Sequence, residues 1–206
     1  MKLYTYDPAP NPQRLAAFLK YKGIELDTVQ VDLMNAEQLS PEHLKINPGG
    51  TVPALVLDDG TCLGAVIGIV TYLEGLHPEK PLLGSSPLEK AQVISWCHNL
   101  FSGLMMATAS VLRNSSKGFV NRALPGPLDL PQIPELAERG NVQIDHLLPD
   151  IDRHLADNTW LAGDNFSFAD IDLHTCIGFL GWVKKSVPED CKHLQAWYER
   201  ASDQLA

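Results

Sequence analysis

The sequence predicts an α/β half followed by an all-helical half. Three observations carry this. Strand and helix signals alternate up to about residue 76, a Pro- and Gly-rich stretch follows, and after it the strand signals vanish. The predicted division is 1–78 for the α/β domain, 79–87 for a linker and 88–206 for the all-α domain.

The elements follow in order. Lys2 to Tyr6 is a short strand. Pro8-Ala9-Pro10-Asn11-Pro12 feeds a helix with Asn11 as N-cap and Pro12 at the first helical position, and Gly23 ends it. Thr28 to Leu33 alternates as a second strand, so the first two strands pair in parallel through a right-handed crossover. A short helix starts near Ser40-Pro41, and Asn47 to Gly50 is a loop. Ala54 to Leu57 and Thr61 to Leu63 form a hairpin across Asp59-Gly60, with both turn residues expected at φ > 0. Pro53 opens the first of these strands, where a missing N–H is tolerated and an X-Pro bond can be cis. Val66, Ile69, Val70 and Leu73 make one buried stripe of the next helix.

Beyond the linker, Leu88 to Leu112, Glu135 to Ala156, a segment starting at Ser167, and Leu194 to Leu205 read as helices. Ser167 and Asp170 form a capping box, with Phe166 and Ile171 as its hydrophobic staple. Asn114 to Pro134 is too long for a plain connection and reads as a lid or an interface arm.

Composition narrows the function. At 206 residues and 45% apolar content the chain can build its core without disulfide staples. Cys62, Cys97, Cys176 and Cys191 lack metal or CxxC spacing and read as free, mostly buried thiols of a reducing compartment. A net charge of -9 argues against nucleic acid or an anionic membrane as partner. The first residues enter a strand at once, and no apolar run reaches membrane-spanning length, so a soluble cytoplasmic protein is expected. Cys97-His98 is not a nucleophile–base pair, because helix neighbours point about 100° apart. Asp170, Asp172 and His174 do not share a helix face, so no metal site is expected.

The motifs, taken together, resemble the cytosolic glutathione transferases, in particular bacterial-type members. Asn47-Pro48-x-Gly50-x-Val52-Pro53-Ala54-Leu55 is similar to that family's NPxGxVPxL loop, whose proline is cis. Arg14 with Lys22-Gly23-Ile24, Tyr72-Leu73-Glu74 with His77-Pro78, Ala162 to Ile171, and Leu194, Trp197 and Arg200 resemble further stretches, in the family's order. The resemblance implies a thioredoxin-like N-terminal domain, an all-helical C-terminal domain and a homodimer. It implies glutathione as substrate, bound by Thr51, Val52 and Pro53 and by the positions of Ala65 and Val66. The Val52 backbone would pair with the cysteinyl part of the tripeptide like an added strand. The reaction implied is thiolate attack on small hydrophobic electrophiles, or glutathione-dependent reduction, in a detoxification role. Met105, Arg113 and Trp182 are the candidates for the electrophile pocket.

Two departures from the family pattern stand out. The loop from Asp7 to Pro12 has no Ser, Thr or Cys, and the family's usual thiol partner is Tyr, Ser or Cys. Asn11 is the side-chain donor left at the helix start, and it acts as a helix cap, alone or together with a contact to the thiol. The family's acidic–Ser pair, which grips the glutamyl end of glutathione, is replaced by Ala65-Val66. The alternative reading is therefore a non-catalytic binding or interaction protein on the same fold.

Overall fold

The computed structural model describes residues Met1–Ala206. The chain forms two compact units. One holds Met1–Lys80 together with Leu124–Asp129; the other holds Pro81–Ala123 and Leu130–Ala206. The short return of 124–129 to the first unit is absent from the division read from the sequence.

The first unit is built on a four-stranded sheet of order β2-β1-β3-β4. Its strands are β1 (Lys2–Thr5), β2 (Asp27–Gln30), β3 (Ala54–Val56) and β4 (Cys62–Leu63). β1 runs parallel to β2 and antiparallel to β3, and β3 pairs antiparallel with β4. Its helices are α1 (Pro10–Lys22), α2 (Pro41–Ile46) and α3 (Val66–Leu76). This is the thioredoxin-like arrangement expected for the N-terminal half. Leu15, Phe18, Leu55, Ile69 and Leu73 are each at most 1% exposed and form its core. Lys22 Nζ meets Glu74 at 2.8 Å, an ion pair between α1 and α3.

Two local expectations are corrected. α1 starts two residues early: Ala9 is its N-cap and Pro10 its first residue, so Asn11 lies inside the first turn and is not the cap. The hairpin loop is not a two-residue turn with two positive φ values. Gly60 N–H bonds Leu57 O at 3.0 Å, Leu57 N–H bonds Thr61 O at 2.8 Å, and of Asp59 and Gly60 only Gly60, at φ 88°, is left-handed. That is a three-residue loop closed by a glycine bulge, which matches strand twist without forcing Asp59 into an unfavourable region.

The second unit is helical: α4 (Pro87–Leu100), α5 (Met106–Ser115), α6 (Pro134–Ala156), α7 (Phe168–Leu180) and α8 (Lys192–Leu205). The expected single helix over 88–112 is interrupted by a π turn at Phe101–Met105. There Ser102 Oγ bonds back to His98 O at 2.8 Å, and Gly103 sits against Leu147. α5 lies close along α6 because Gly140 has no side chain. A Cβ there would stand 2.7 Å from the Ala107 carbonyl oxygen. The capping box at Ser167 and Asp170 forms as read from the sequence. All four cysteines are free; Cys97, Cys176 and Cys191 are buried and Cys62 is partly exposed. No helix is long and apolar enough to cross a membrane.

Candidate functional site

The loop after α2 is set by Asn47. Its Nδ2 donates to Thr51 O at 2.9 Å and to Thr51 Oγ1 at 3.1 Å, while its Oδ1 accepts from Gly49 N–H at 3.1 Å. His43, 4% exposed, places Nε2 3.3 Å from the same Thr51 carbonyl. Gly50 takes φ 58°, and a Cβ on it would meet Leu39 at 2.9 Å, so glycine is required twice over. Thr51 is thus satisfied from inside the chain. The next residue is different: neither the N–H nor the carbonyl of Val52 has a backbone partner. Val52 is 8% exposed, and its bond to Pro53 is cis. A rigid loop therefore ends in one residue whose donor and acceptor are both open, the arrangement that an added extended peptide pairs with. Asn47 and His43 were missed as positioning residues in the sequence. The only signal was their spacing, three residues after the Ser40 cap and directly before Pro48.

Gly64 follows β4 and leads into α3. A Cβ on Gly64 would lie 3.4 Å from Asn47 Oδ1, so the chain passes close to the loop just before Ala65. Ala65 is the α3 N-cap, with no side-chain cap hydrogen bond. The first backbone bond of the helix is Ile69 N–H to Ala65 O at 3.0 Å, which leaves the N–H groups of Val66, Ile67 and Gly68 pointing from the positive end. Ala65 is exposed, whereas Val66 is 5% exposed with its side chain in the core.

At the start of α1, prolines thin out the donors. Pro10 and Pro12 have no N–H, and Gln13 N–H is used by Ala9 O at 3.0 Å. Asn11 is left with both a backbone N–H and a side-chain amide at the helix's positive end. Arg14, 4% exposed, donates Nη1 to Asn11 Oδ1 at 2.8 Å. With its oxygen held, the amide presents Nδ2 as a donor.

Residues 9–76 match the family model for the glutathione S-transferase N-terminal domain, and residues 104–204 match the one for the C-terminal domain. Glutathione S-transferase 2 of Saccharomyces cerevisiae is 33% identical over 205 residues, covering 97% of this chain and 84% of that protein. The chain belongs to the glutathione S-transferase family. A glutathione S-transferase domain-containing protein of Marinobacter aquaeolei is 30% identical, with a TM-score of 0.92 over the whole of both chains. The Gtt2 structure from Saccharomyces cerevisiae is also 30% identical, with a TM-score of 0.90 over the whole of both chains.

The three electrophile-pocket candidates lie on separate segments of the helical unit. Met105 closes the π turn and is 4% exposed. Arg113 is half-buried near the end of α5, and its Nη1 donates to Arg122 O at 2.8 Å. Trp182 is 50% exposed, with its ring edge-on to Phe179 at 5.6 Å. No hydrogen bond or ring contact joins the three.

Proposed function

We propose that this family member is a glutathione transferase that activates the thiol with Asn11 and holds the tripeptide through backbone groups. The open Val52 N–H and carbonyl carry the reading. They offer two hydrogen bonds to the cysteinyl residue, beside Thr51 and Pro53. The unpaired amides at the start of α3, from Val66 onward, suit the glutamyl carboxylate.

The chemistry needs a thiolate. A thiol titrates near pH 8.5, so bringing it down by about two units requires roughly 2.7 kcal/mol of selective stabilisation of the anion. Asn11 provides two neutral donors at the α1 N-terminus, and hydrogen bonds to a charged acceptor contribute roughly 1.5–3 kcal/mol each. Asn11 stabilises the anion but accepts no proton, so the thiol proton leaves to water. The sulfur then bonds to the electrophilic carbon, and the leaving group departs with the electron pair of the broken bond. Met105, Arg113 and Trp182 are assigned to the electrophile's side.

Ala65 and Val66 favour a second reading, a binding protein without glutathione chemistry. Neither side chain offers the ammonium or carboxylate of a glutamyl group a hydrogen bond. Loss of two such bonds weakens binding by at least one to two orders of magnitude. Calorimetric titration with glutathione separates the two. Binding below about 1 mM together with thioether formation from 1-chloro-2,4-dinitrobenzene supports the transferase. Absence of both leaves the binding protein.

A further inference from the structure

Asn47 ends α2 and stands before Pro48. A residue before proline is held extended, and Asn47 takes φ -130° and ψ 97°. Its main chain is used in turns: its N–H goes to His43 O at 2.8 Å, and its carbonyl takes Gly50 N–H at 2.9 Å. Asn47 is 9% exposed, so its side chain is closed in. His43 is fixed in a similar way. Its N–H goes to Ser40 Oγ at 3.1 Å, and its ring stands edge-on to Tyr4 of β1, with 6.1 Å between ring centres.

These two side chains meet at one atom. Thr51 O lies 2.9 Å from Asn47 Nδ2 and 3.3 Å from His43 Nε2. A carbonyl oxygen only accepts, so Nε2 is the nitrogen of His43 that carries the proton, and both lone pairs of the oxygen are taken. The same peptide unit carries Val52 N–H. The cis bond of this loop is Val52–Pro53, and the Thr51–Val52 bond is trans. In a trans unit the C=O and the N–H point in opposite directions. With the oxygen drawn toward Asn47 and His43, the N–H is turned away from them, and no backbone group takes it. An amide whose oxygen accepts two hydrogen bonds is also polarised, which makes its N–H a better donor. Were this unit to turn over, by opposite rotations about ψ of Thr51 and φ of Val52, an acceptor would replace the donor at the open edge.

We propose that Asn47 and His43 are positioning residues for glutathione: they hold the Thr51–Val52 peptide unit so that Val52 N–H faces the carbonyl of the cysteinyl residue. The role in glutathione binding rests on the transferase reading above; the control of the peptide unit by the two side chains does not.

Asn47→Asp keeps an oxygen for Gly49 N–H and replaces the donor by a second carboxylate oxygen. That oxygen repels Thr51 O and accepts Val52 N–H once the unit has turned over. Amide hydrogen exchange, read by NMR on isotope-labelled protein without glutathione, follows the unit directly. Val52 N–H should exchange as an open amide in the unaltered protein and at least about tenfold more slowly in Asn47→Asp. A loop that is merely loosened speeds exchange at Gly49 and Gly50 and leaves Val52 fast, and that result overturns the proposal. Calorimetric titration with glutathione follows the consequence. Asn47→Asp should weaken binding at least about tenfold, and His43→Leu about three- to tenfold. His43→Gln, which restores an N–H donor, should bind within about twofold of the unaltered protein. Equal losses in His43→Leu and His43→Gln, or unchanged binding in Asn47→Asp, overturn the positioning role. If Asn47→Asp does not fold, the two His43 variants decide. An unaltered protein that does not bind glutathione refutes the transferase reading, and a protected Val52 N–H in Asn47→Asp then still upholds the control of the peptide unit.

Discussion

Trp197 donates its indole N–H to Asp170 Oδ1 at 3.0 Å, with both residues completely buried. Asp170 also takes Leu161 N–H at 3.0 Å on the same oxygen, and Ser167 N–H and Oγ–H on the other, at 3.0 and 2.9 Å. One carboxylate therefore ties the start of α7, the preceding loop and α8 together. Burial pushes its pKa up, and the four hydrogen bonds pull it back down. Asp170→Ala should lower unfolding free energy by about 3 kcal/mol or more, because several buried donors lose their partner together. Urea unfolding followed by Trp fluorescence measures this. Ser167→Ala, which removes the Oγ–H bond to Asp170 and leaves the other three, should cost about 1 kcal/mol.

If Asn11 stabilises the thiolate, Asn11→Ala should lower kcat/KM with glutathione by about ten- to a hundredfold, the loss of one hydrogen bond to a charged group. The pKa of bound glutathione, read from thiolate absorbance, should rise in the same variant. A kcat/KM that falls with no change in that pKa would place the role of Asn11 elsewhere. Asn11→Asp should act in the same direction, since a carboxylate opposes the thiolate.

The difference in burial between Ala65 and Val66 makes the glutamyl end testable one residue at a time. Ala65 is exposed, so Ala65→Glu adds a carboxylate facing solvent without disturbing the core. It should tighten glutathione binding by about tenfold, and the gain should shrink at high salt. Val66→Ser places a hydroxyl where a 5% exposed side chain packs, and should cost about 1–2 kcal/mol of stability whatever it does to binding. Titration calorimetry and thermal melts of the two single variants separate these effects.

His174 stacks on Tyr198 at 4.7 Å between ring centres, and its Nε2 lies 3.1 Å from Ser202 Oγ. Ser202 Oγ–H already donates to Tyr198 O at 2.8 Å, so Ser202 accepts from His174. Burial lowers the His174 pKa below its ordinary value of 6.5. The folded state thus binds this proton less readily than the unfolded one. Above pH 6.5 the group is neutral in both states and has no effect; as pH falls below that value stability declines, until the folded state protonates too. The slope of unfolding free energy against pH between 7 and 5 should flatten in His174→Gln.

Much of the fold was legible because its signals are local. The Ser167–Asp170 box, the Gly23 cap at φ 68° and the stripe of Val66, Ile69, Val70 and Leu73 rest on contacts three or four residues apart. Errors came where two local preferences competed. Asn11 is a good cap by type, yet Pro10 also suits a first helical position, and the helix began there. Asp59-Gly60 suits a two-residue turn, but the strand pairing of Leu57 with Thr61 left three residues in the loop.

The sequence by itself determined the order of elements and the change from mixed to helical halves, since both are properties of neighbouring residues. Only the tertiary structure decided which groups remain open. Asn47 and His43 satisfy Thr51 and not Val52, Arg14 holds the oxygen of Asn11 and not its amide, and Arg113 donates to the Arg122 backbone carbonyl. A hydrogen-bond partner is chosen by distance in space, and residue type alone states only what a group is able to do once something comes within reach.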